Sequence, residues 1–141
     1  MTTYYTGRVS DAIPPRMQEK GVFCEVATYE FAGEAAASVV QLCKVAANVT
    51  VLDGYIIYDA LGGTGTTIDV GDGDVPTRYI EAAAVDAAAG LTRFALGATG
   101  GAVFPFTYSA DDTIDALVGV DAPTGTLTAV IFMTREPVDL T

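Results

Sequence analysis

The chain has 141 residues, half of them apolar, and a formal net charge of −11, which together predict one folded domain and exclude a largely disordered chain. So acidic a chain lacks the basic surface that binds nucleic acid or anionic membranes, and neither is expected as a partner. It has no histidine, which excludes Ser-His-Asp and Cys-His catalysis and the common histidine-bearing zinc sites.

The first 21 residues show neither helical nor strand periodicity, and the pair Pro14–Pro15 favours an extended path. We therefore predict an extended N-terminal arm over residues 1–21 and one domain over residues 22–141. The arm is also expected to mediate binding, because Tyr and Arg are enriched at binding hot spots. The predicted interface residues are Tyr4, Tyr5, Arg8, Pro14, Pro15 and Arg16.

From residue 22 onward, short apolar runs alternate with turn residues, a pattern typical of a β-sandwich or barrel. Nine runs predict strands: 22–31, 37–45, 49–60, 66–71, 77–83, 91–96, 103–109, 113–120 and 126–134. Alternation places Phe23, Glu25 and Ala27 on one face of the first strand. It places Val39, Gln41, Cys43 and Val45 together in the second. Gly54 predicts a bulge or kink in the third strand.

The stretch 81–90, "EAAAVDAAAG", is the one place where a helical turn is expected, since alanine favours helix. Cys24 and Cys43 lie inside apolar runs, which favours buried, reduced thiols. A disulfide between neighbouring strands is the alternative. Two thiols alone cannot complete a metal site.

The acidic run 66–78, "TTIDVGDGDVPTR", holds three aspartates and two glycines, and is the strongest candidate for a ligand loop. It fits no EF-hand register: with Asp72 as the first position the fifth is a proline, and with Asp69 as the first position the third is a glycine. We interpret it as a strand, an acidic turn and the start of the next strand near Thr77, with Arg78 paired to one of the aspartates. A weak cation site at these aspartates is the alternative.

The remaining motifs also predict structure rather than chemistry. The runs "GGTGTT" (62–67) and "GATGG" (97–101) lack the lysine or the spacing of phosphate-binding loops and are interpreted as glycine turns. Asp111 and Asp112 lie in a turn before a strand, where aspartate side chains accept backbone hydrogen bonds. No catalytic, cofactor-binding or metal-binding residue is therefore assigned.

Three segments carry a resemblance to a known family: residues 49–90, "YSADDTIDALVG" (108–119) and "GTLTAVIFMT" (125–134). They resemble small structural proteins of tailed bacteriophages, of which some are head decoration (cement) proteins. The resemblance covers roughly residues 22 to 134. It is a pattern of strands and turns without a catalytic motif, and the arm lies outside it.

With the composition, the resemblance implies an all-β, jelly-roll-like antiparallel sandwich that acts as a virion structural protein. The expected role is a cement protein, made in the host cytoplasm, that binds the major capsid protein on the outer surface of the phage head and stabilises the shell. A homo-oligomer, most simply a trimer, is expected. The alternatives are a head fibre or tail-associated component and a carbohydrate-binding or adhesion module. An enzyme is the least favoured.

Overall fold

The computed structural model describes residues 2–5, 21–95 and 105–136, and these residues form ten β-strands. The strands are β1 (Thr3–Tyr5), β2 (Val22–Ala32), β3 (Val39–Val45), β4 (Thr50–Tyr58), β5 (Thr67–Gly71), β6 (Ile80–Ala84), β7 (Gly90–Arg93), β8 (Phe106–Thr107), β9 (Asp112–Gly119) and β10 (Thr124–Thr134). Each of the nine predicted runs contains a strand; most strands are shorter than predicted or shifted, and β2 and β10 are longer.

The strands form two sheets, which we name sheet A (order β1-β3-β9-β5-β6) and sheet B (order β2-β10-β4-β7, with β8 beside β4). Without the short strands β1 and β8, each sheet has four antiparallel strands, and successive strands β2 to β5 alternate between the sheets. This is the order of a jelly roll, two Greek keys wrapped into a sandwich. The predicted all-β, jelly-roll-like sandwich is confirmed.

The core lies between the sheets and follows the alternation of the sequence. Inward positions of β10 are Leu127, Ala129, Ile131 and Met133, all fully buried. In β2 the residues with the parity of Phe23 point inward, and Glu25 is buried with them. Because the side-chain period of a strand is two, this alternation sets which face of each sheet meets the core.

Two bulges depart from the predicted alternation. In β3 the register against β9 shifts between Gln41 and Cys43, so Leu42 and Cys43 are both buried. Cys43 and Val45 therefore lie on the face of Val40, not on the face of Val39 as predicted. One extra residue in a strand inverts every side chain after it.

The bulge in β4 also differs from the prediction, since the register against β10 shifts at Leu52, between Asp53 and Val51, rather than at Gly54. Gly54 has a packing role instead. A β-carbon there would lie 2.7 Å from the ring of Phe94 and 2.8 Å from the carbonyl oxygen of Val130. The missing side chain lets the buried Phe94 approach the backbone of sheet B.

Strand β1 lies within the range predicted to be an arm. Thr3–Tyr5 pairs in parallel with β3, in register with Val39–Gln41, and forms one edge of sheet A. Residues 6–20 lie outside the described part of the chain, so the arm itself stays a prediction.

Two other expectations are corrected. The alanine-rich stretch contains no helical turn: Ile80–Ala84 is strand, and a bend leads from there to β7 at Gly90. The neighbouring strand β5 provides a hydrogen-bonding edge that outweighs the helix propensity of alanine. Cys43 is a buried thiol outside any disulfide, as predicted, but Cys24 is exposed on the outer face of sheet B, so the two thiols are neither both buried nor bonded to each other.

Candidate interaction surfaces

Two of the predicted interface residues lie in β1. Tyr4 is half-buried and packs against the core, with its ring 6.2 Å from that of Tyr29. The hydroxyl of Tyr29 donates to Glu34 at 3.0 Å. Tyr5 points outward and is 51% exposed. Tyr4 therefore anchors the strand, and Tyr5 is the tyrosine available to a partner.

The other predicted interface residues, Arg8, Pro14, Pro15 and Arg16, lie outside the described residues. Their role stays a prediction.

The acidic run is the turn that joins β5 to β6, built around the buried carboxylate of Asp72. The Oδ1 atom accepts hydrogen bonds from the backbone N–H of Val75 at 2.8 Å and of Asp74 at 3.1 Å. The Oδ2 atom accepts from Arg78 Nε at 2.6 Å and from the Tyr108 hydroxyl at 2.8 Å. The predicted ion pair of Arg78 is confirmed, with Asp72 as the partner. The next strand, however, begins at Ile80 rather than near Thr77.

Aromatic rings enclose this ion pair. The Arg78 guanidinium lies 3.6 Å above the centre of the Phe106 ring, well within the range of a cation–π interaction. The Tyr108 hydroxyl also hydrogen bonds that of Tyr79 at 2.9 Å. Burial raises the pKa of Tyr79 and of Tyr108 well above the usual range, so both phenols stay protonated and neutral. The ion pair and its aromatic neighbours therefore form a hydrogen-bonded structural network, and neither phenol ionises near neutral pH.

The other acidic and glycine motifs are structural as well. Asp69 Oδ1 accepts from the backbone N–H of Ala82, which has a positive φ of 52° at the β5–β6 irregularity. Asp111 accepts from the backbone N–H of Ala47 at 2.9 Å, and Asp112 accepts from the N–H of Thr113 at 2.8 Å, so both carboxylates accept backbone hydrogen bonds as predicted, although Asp112 is the first residue of β9 rather than part of the turn.

In the predicted glycine turn 62–67, Gly62, Gly63 and Gly65 all have positive φ, and the turn assignment is confirmed. The other predicted glycine turn, 97–101, lies outside the described residues. Among residues 2–5, 21–95 and 105–136, no three Asp, Glu or Cys side chains are grouped so that they could hold a metal ion. In the same residues no helix is long and apolar enough to cross a membrane.

The outer face of sheet B is apolar at its centre. Val26 pairs across to Val130 and then to Tyr55, and Thr128 pairs across to Ile57 and then to Leu91. Of the large side chains here, Val26 is 50%, Ile57 44% and Leu91 53% exposed. A contiguous apolar patch of this kind is typical of an interaction site.

The rim of this face is charged. Arg93 on β7 pairs with Asp53 on β4 at 2.8 Å, with both side chains open to solvent. Such exposed pairs stabilise a fold by little. This pair does make the edge of the apolar patch polar.

The outer face of sheet A carries the feature that sequence reasoning missed, an open cavity of about 310 Å³ beside β1. The residues that line it are Thr3, Val39, Gln41, Asp72, Gly73, Pro76, Asp115 and Leu117. The one sequence signal was a lone acidic residue, Asp115, at an outward position of the apolar strand β9. That signal becomes informative only when the register places Asp115 between Gln41 and Gly71.

Comparison with known proteins defines the fold. No protein-family model matches the chain, and no curated protein matches its sequence. A chain in the capsid of Ralstonia phage GP4 is similar in structure, with a TM-score of 0.75 and 16% identity, and the match covers 97% of this chain and 100% of that one.

Two further phage structures contain similar chains. A chain of the cyanophage Pam1 capsid asymmetric unit has a TM-score of 0.63 and 19% identity, over 86% of this chain and 89% of that one. A chain of the acid-stable capsid of Helicobacter pylori bacteriophage KHP30 has a TM-score of 0.56 and 15% identity, over 79% and 85%. At these identities the shared property is the fold, and all three structures are phage capsids.

Proposed function

We propose that this protein is a decoration, or cement, protein of a phage head, which binds the major capsid protein on the outer surface and stabilises the shell. The observation that carries the proposal is the fold similarity over 97% of the chain to a whole chain of a phage capsid. Because that match covers both chains almost completely, the two chains are of similar length. A small, single-domain component of a head is the role that this similarity supports.

Charge favours an outer, decorating position. The net charge is −11, and a face that met packaged DNA would be repelled by it. Subunits that form a continuous shell also pack side by side, which makes like charge costly. A decorating protein that sits at spaced positions on the outer surface avoids both costs.

The proposed mechanism is burial of surface across the joints between capsid subunits, with no chemical step. The exposed apolar centre of sheet B and Tyr5 at the edge of sheet A are two described surfaces that suit such burial. The predicted arm is a third, since residues 1–21 carry three basic and two acidic side chains on an otherwise strongly acidic chain. A trimer is the proposed assembly, because closed symmetry is the rule for homo-oligomers and local three-fold positions occur on icosahedral shells.

Purified phage particles test the proposal directly. Mass spectrometry with quantified peptides should find this chain at a copy number close to that of the major capsid protein, and cryo-electron microscopy should show the jelly roll outside the shell. Particles that lack the chain should lose DNA at a lower temperature than complete particles, and adding the purified protein should reverse the loss. A few copies at the tail, or none, would contradict the proposal.

The assembly is tested on the isolated protein. Light scattering at tens of micromolar should report the mass of three chains. A mass of one chain throughout this range would exclude the trimer but would leave the position on the particle open.

A further inference from the structure

The cavity on sheet A has an apolar floor. Val39 on β3 and Leu117 on β9 are register partners on the outer face, and Thr3 of β1 pairs with Val39 on the other side. Pro76, in the turn after β5, forms the opposite wall. At about 310 Å³ the cavity is at the small end of ligand-binding pockets, which run upward from about 300 Å³. It suits one long side chain better than a large ligand.

Asp115, one of the residues that line this cavity, has a hydrogen-bond acceptor that is not used. The Oδ1 atom of Asp115 is buried and has no hydrogen-bond partner in the structure. A buried, unpaired acceptor is costly, and each such group in a native protein calls for an explanation. Asp72, the other carboxylate in the cavity wall, is fully occupied by Arg78, Tyr108 and backbone N–H groups.

The chemistry of the cavity defines what fits it. An aliphatic stem would lie against Val39, Leu117 and Pro76, and a cationic head would reach Asp115. Lysine and arginine have this form, because their methylene stems pack on apolar surface while their charged heads bind carboxylates. The cavity is therefore matched to a basic side chain.

We propose that this cavity receives a basic side chain from the N-terminal segment of a second copy of the chain. Three of the seven basic residues, Arg8, Arg16 and Lys20, lie in that segment. Of the other four, Arg78 is bound to Asp72 within the same chain and Arg93 to Asp53, Lys44 lies on β3 beside Thr113, and Arg135 directly follows β10. This inference rests on the binding role given to the N-terminal segment in the proposed function, and it names the surface that receives the segment.

The pairing makes association depend on pH. Burial raises the pKa of Asp115 to about 6, and the negative charges of Asp112 and Asp72 add to this, while a hydrogen bond from Thr113 opposes it. On β3 the group faces the neutral Gln41, and Lys44 lies further along beside Thr113. A cation in the cavity favours the ionised carboxylate, so copies should associate more tightly as the pH rises through 6.

Analytical ultracentrifugation of the full-length chain at pH 5 and 7.5 tests this. Asp115→Asn should raise the dissociation constant between copies at least about tenfold at pH 7.5 and should remove the difference between the two pH values. Asp74→Asn is the matched control, since it removes one negative charge from an exposed position in the turn beside the cavity and should change neither result. Arg8→Gln, Arg16→Gln and Lys20→Gln, made singly, identify the donor as the variant that behaves like Asp115→Asn.

A mixing experiment shows whether the donor comes from another copy. Asp115→Asn keeps the donor and loses the acceptor, and the donor variant does the reverse, so an equimolar mixture should associate more tightly than either variant alone. No recovery would mean that the segment binds its own chain and would overturn the inference. So would unchanged association in Asp115→Asn, or binding that weakens as the pH rises. Each of these results can occur with the chain present on particles at full copy number, which keeps this inference separate from the proposed function.

Discussion

Asp72 is the residue on which the turn between β5 and β6 depends. Its carboxylate satisfies two backbone N–H groups, a buried guanidinium and a tyrosine hydroxyl. Asp72→Ala removes the carboxylate from all four donors, and breaking one side of a buried ion pair typically costs about 3–5 kcal/mol. We expect a loss of that size in the free energy of unfolding, measured by urea denaturation.

The control for Asp72→Ala is Asp74→Ala, two residues away and exposed, which should change the free energy of unfolding by about 0.5 kcal/mol or less. Tyr108→Phe should fall between the two, because it removes one hydroxyl that bridges Asp72 and Tyr79. Equal effects of Asp72→Ala and Asp74→Ala would show that the network contributes nothing.

Asp115 makes the stability of the isolated chain depend on pH. Its pKa is raised from 3.8 to about 6 in the folded state, so between these values the folded chain binds more protons than the unfolded chain. Stability therefore falls as the pH rises from 4 to 6. Partial exposure of the carboxylate reduces the effect to about 1 kcal/mol.

Asp115→Asn should lack this contribution to the loss of stability between pH 4 and 6. Its free energy of unfolding at pH 7 should exceed that of the native chain by a similar amount. Urea denaturation at pH 4, 5, 6 and 7, on samples dilute enough to be dissociated, measures this. If the free energy of unfolding varied with pH in parallel for the native chain and the variant, the pH dependence would not come from Asp115.

At the scale of the elements, the end of β5 is defined by a glycine that tolerates no side chain. A β-carbon on Gly71 would overlap the backbone of Val75 and Pro76, which fold back over it in the acidic turn. Gly73, two residues later, has no heavy atom within 4 Å of the same position. Gly71→Ala should therefore cost about 1–3 kcal/mol or more of stability through backbone displacement.

Gly73→Ala is the matched control and should stay within about 0.5 kcal/mol of the native chain. Thermal unfolding monitored by circular dichroism compares the two. A Gly71→Ala variant as stable as the native chain would mean that the turn can open without loss.

Strand β1 is the element that sequence reasoning did not find. Three residues with two adjacent tyrosines show no measurable alternation, and the strand exists because β3 offers an open edge, with Val39 N–H donating to the carbonyl of Thr2 at 2.9 Å. The nine other strands were predictable because each lies in an apolar run bounded by turn residues. The two bulges were not, since nothing in a single sequence marks where an extra residue is inserted.

The candidate sites also include one feature that the sequence predicts and one that it does not. The pairing of Arg78 with an aspartate was predictable because both lie in one turn. Asp115 was not, because its significance depends on Gln41 and Thr3, residues that only the sheet brings beside it.

At the scale of the whole molecule, removing residues 1–16 tests what the N-terminal segment contributes. The deletion removes β1, so we expect a folded jelly roll by circular dichroism with about 1–2 kcal/mol less stability, from the loss of a few backbone hydrogen bonds and the Tyr4–Tyr29 contact. Its self-association and its retention on particles should both be weaker.

Tyr4→Ala provides the comparison for this deletion, since it loosens β1 while leaving residues 5–16 in place. If the deletion variant decorates heads as tightly as the full chain and keeps its oligomeric state, the segment has no role in attachment.

The two cysteines differ in exposure, so thiol labelling can report on the surroundings of sheet B. Cys24 is exposed on the outer face of sheet B, next to the apolar centre, whereas Cys43 is buried in the core. Burial and the neighbouring Glu25 raise the pKa of the Cys24 thiol, so labelling with a maleimide should be slow at neutral pH and faster in mild alkali, with one label per native chain and two per denatured chain. If the protein decorates heads as proposed, comparing the labelling rate of the free protein with that of the same protein on intact heads would show, without any mutation, whether sheet B faces the shell or the medium.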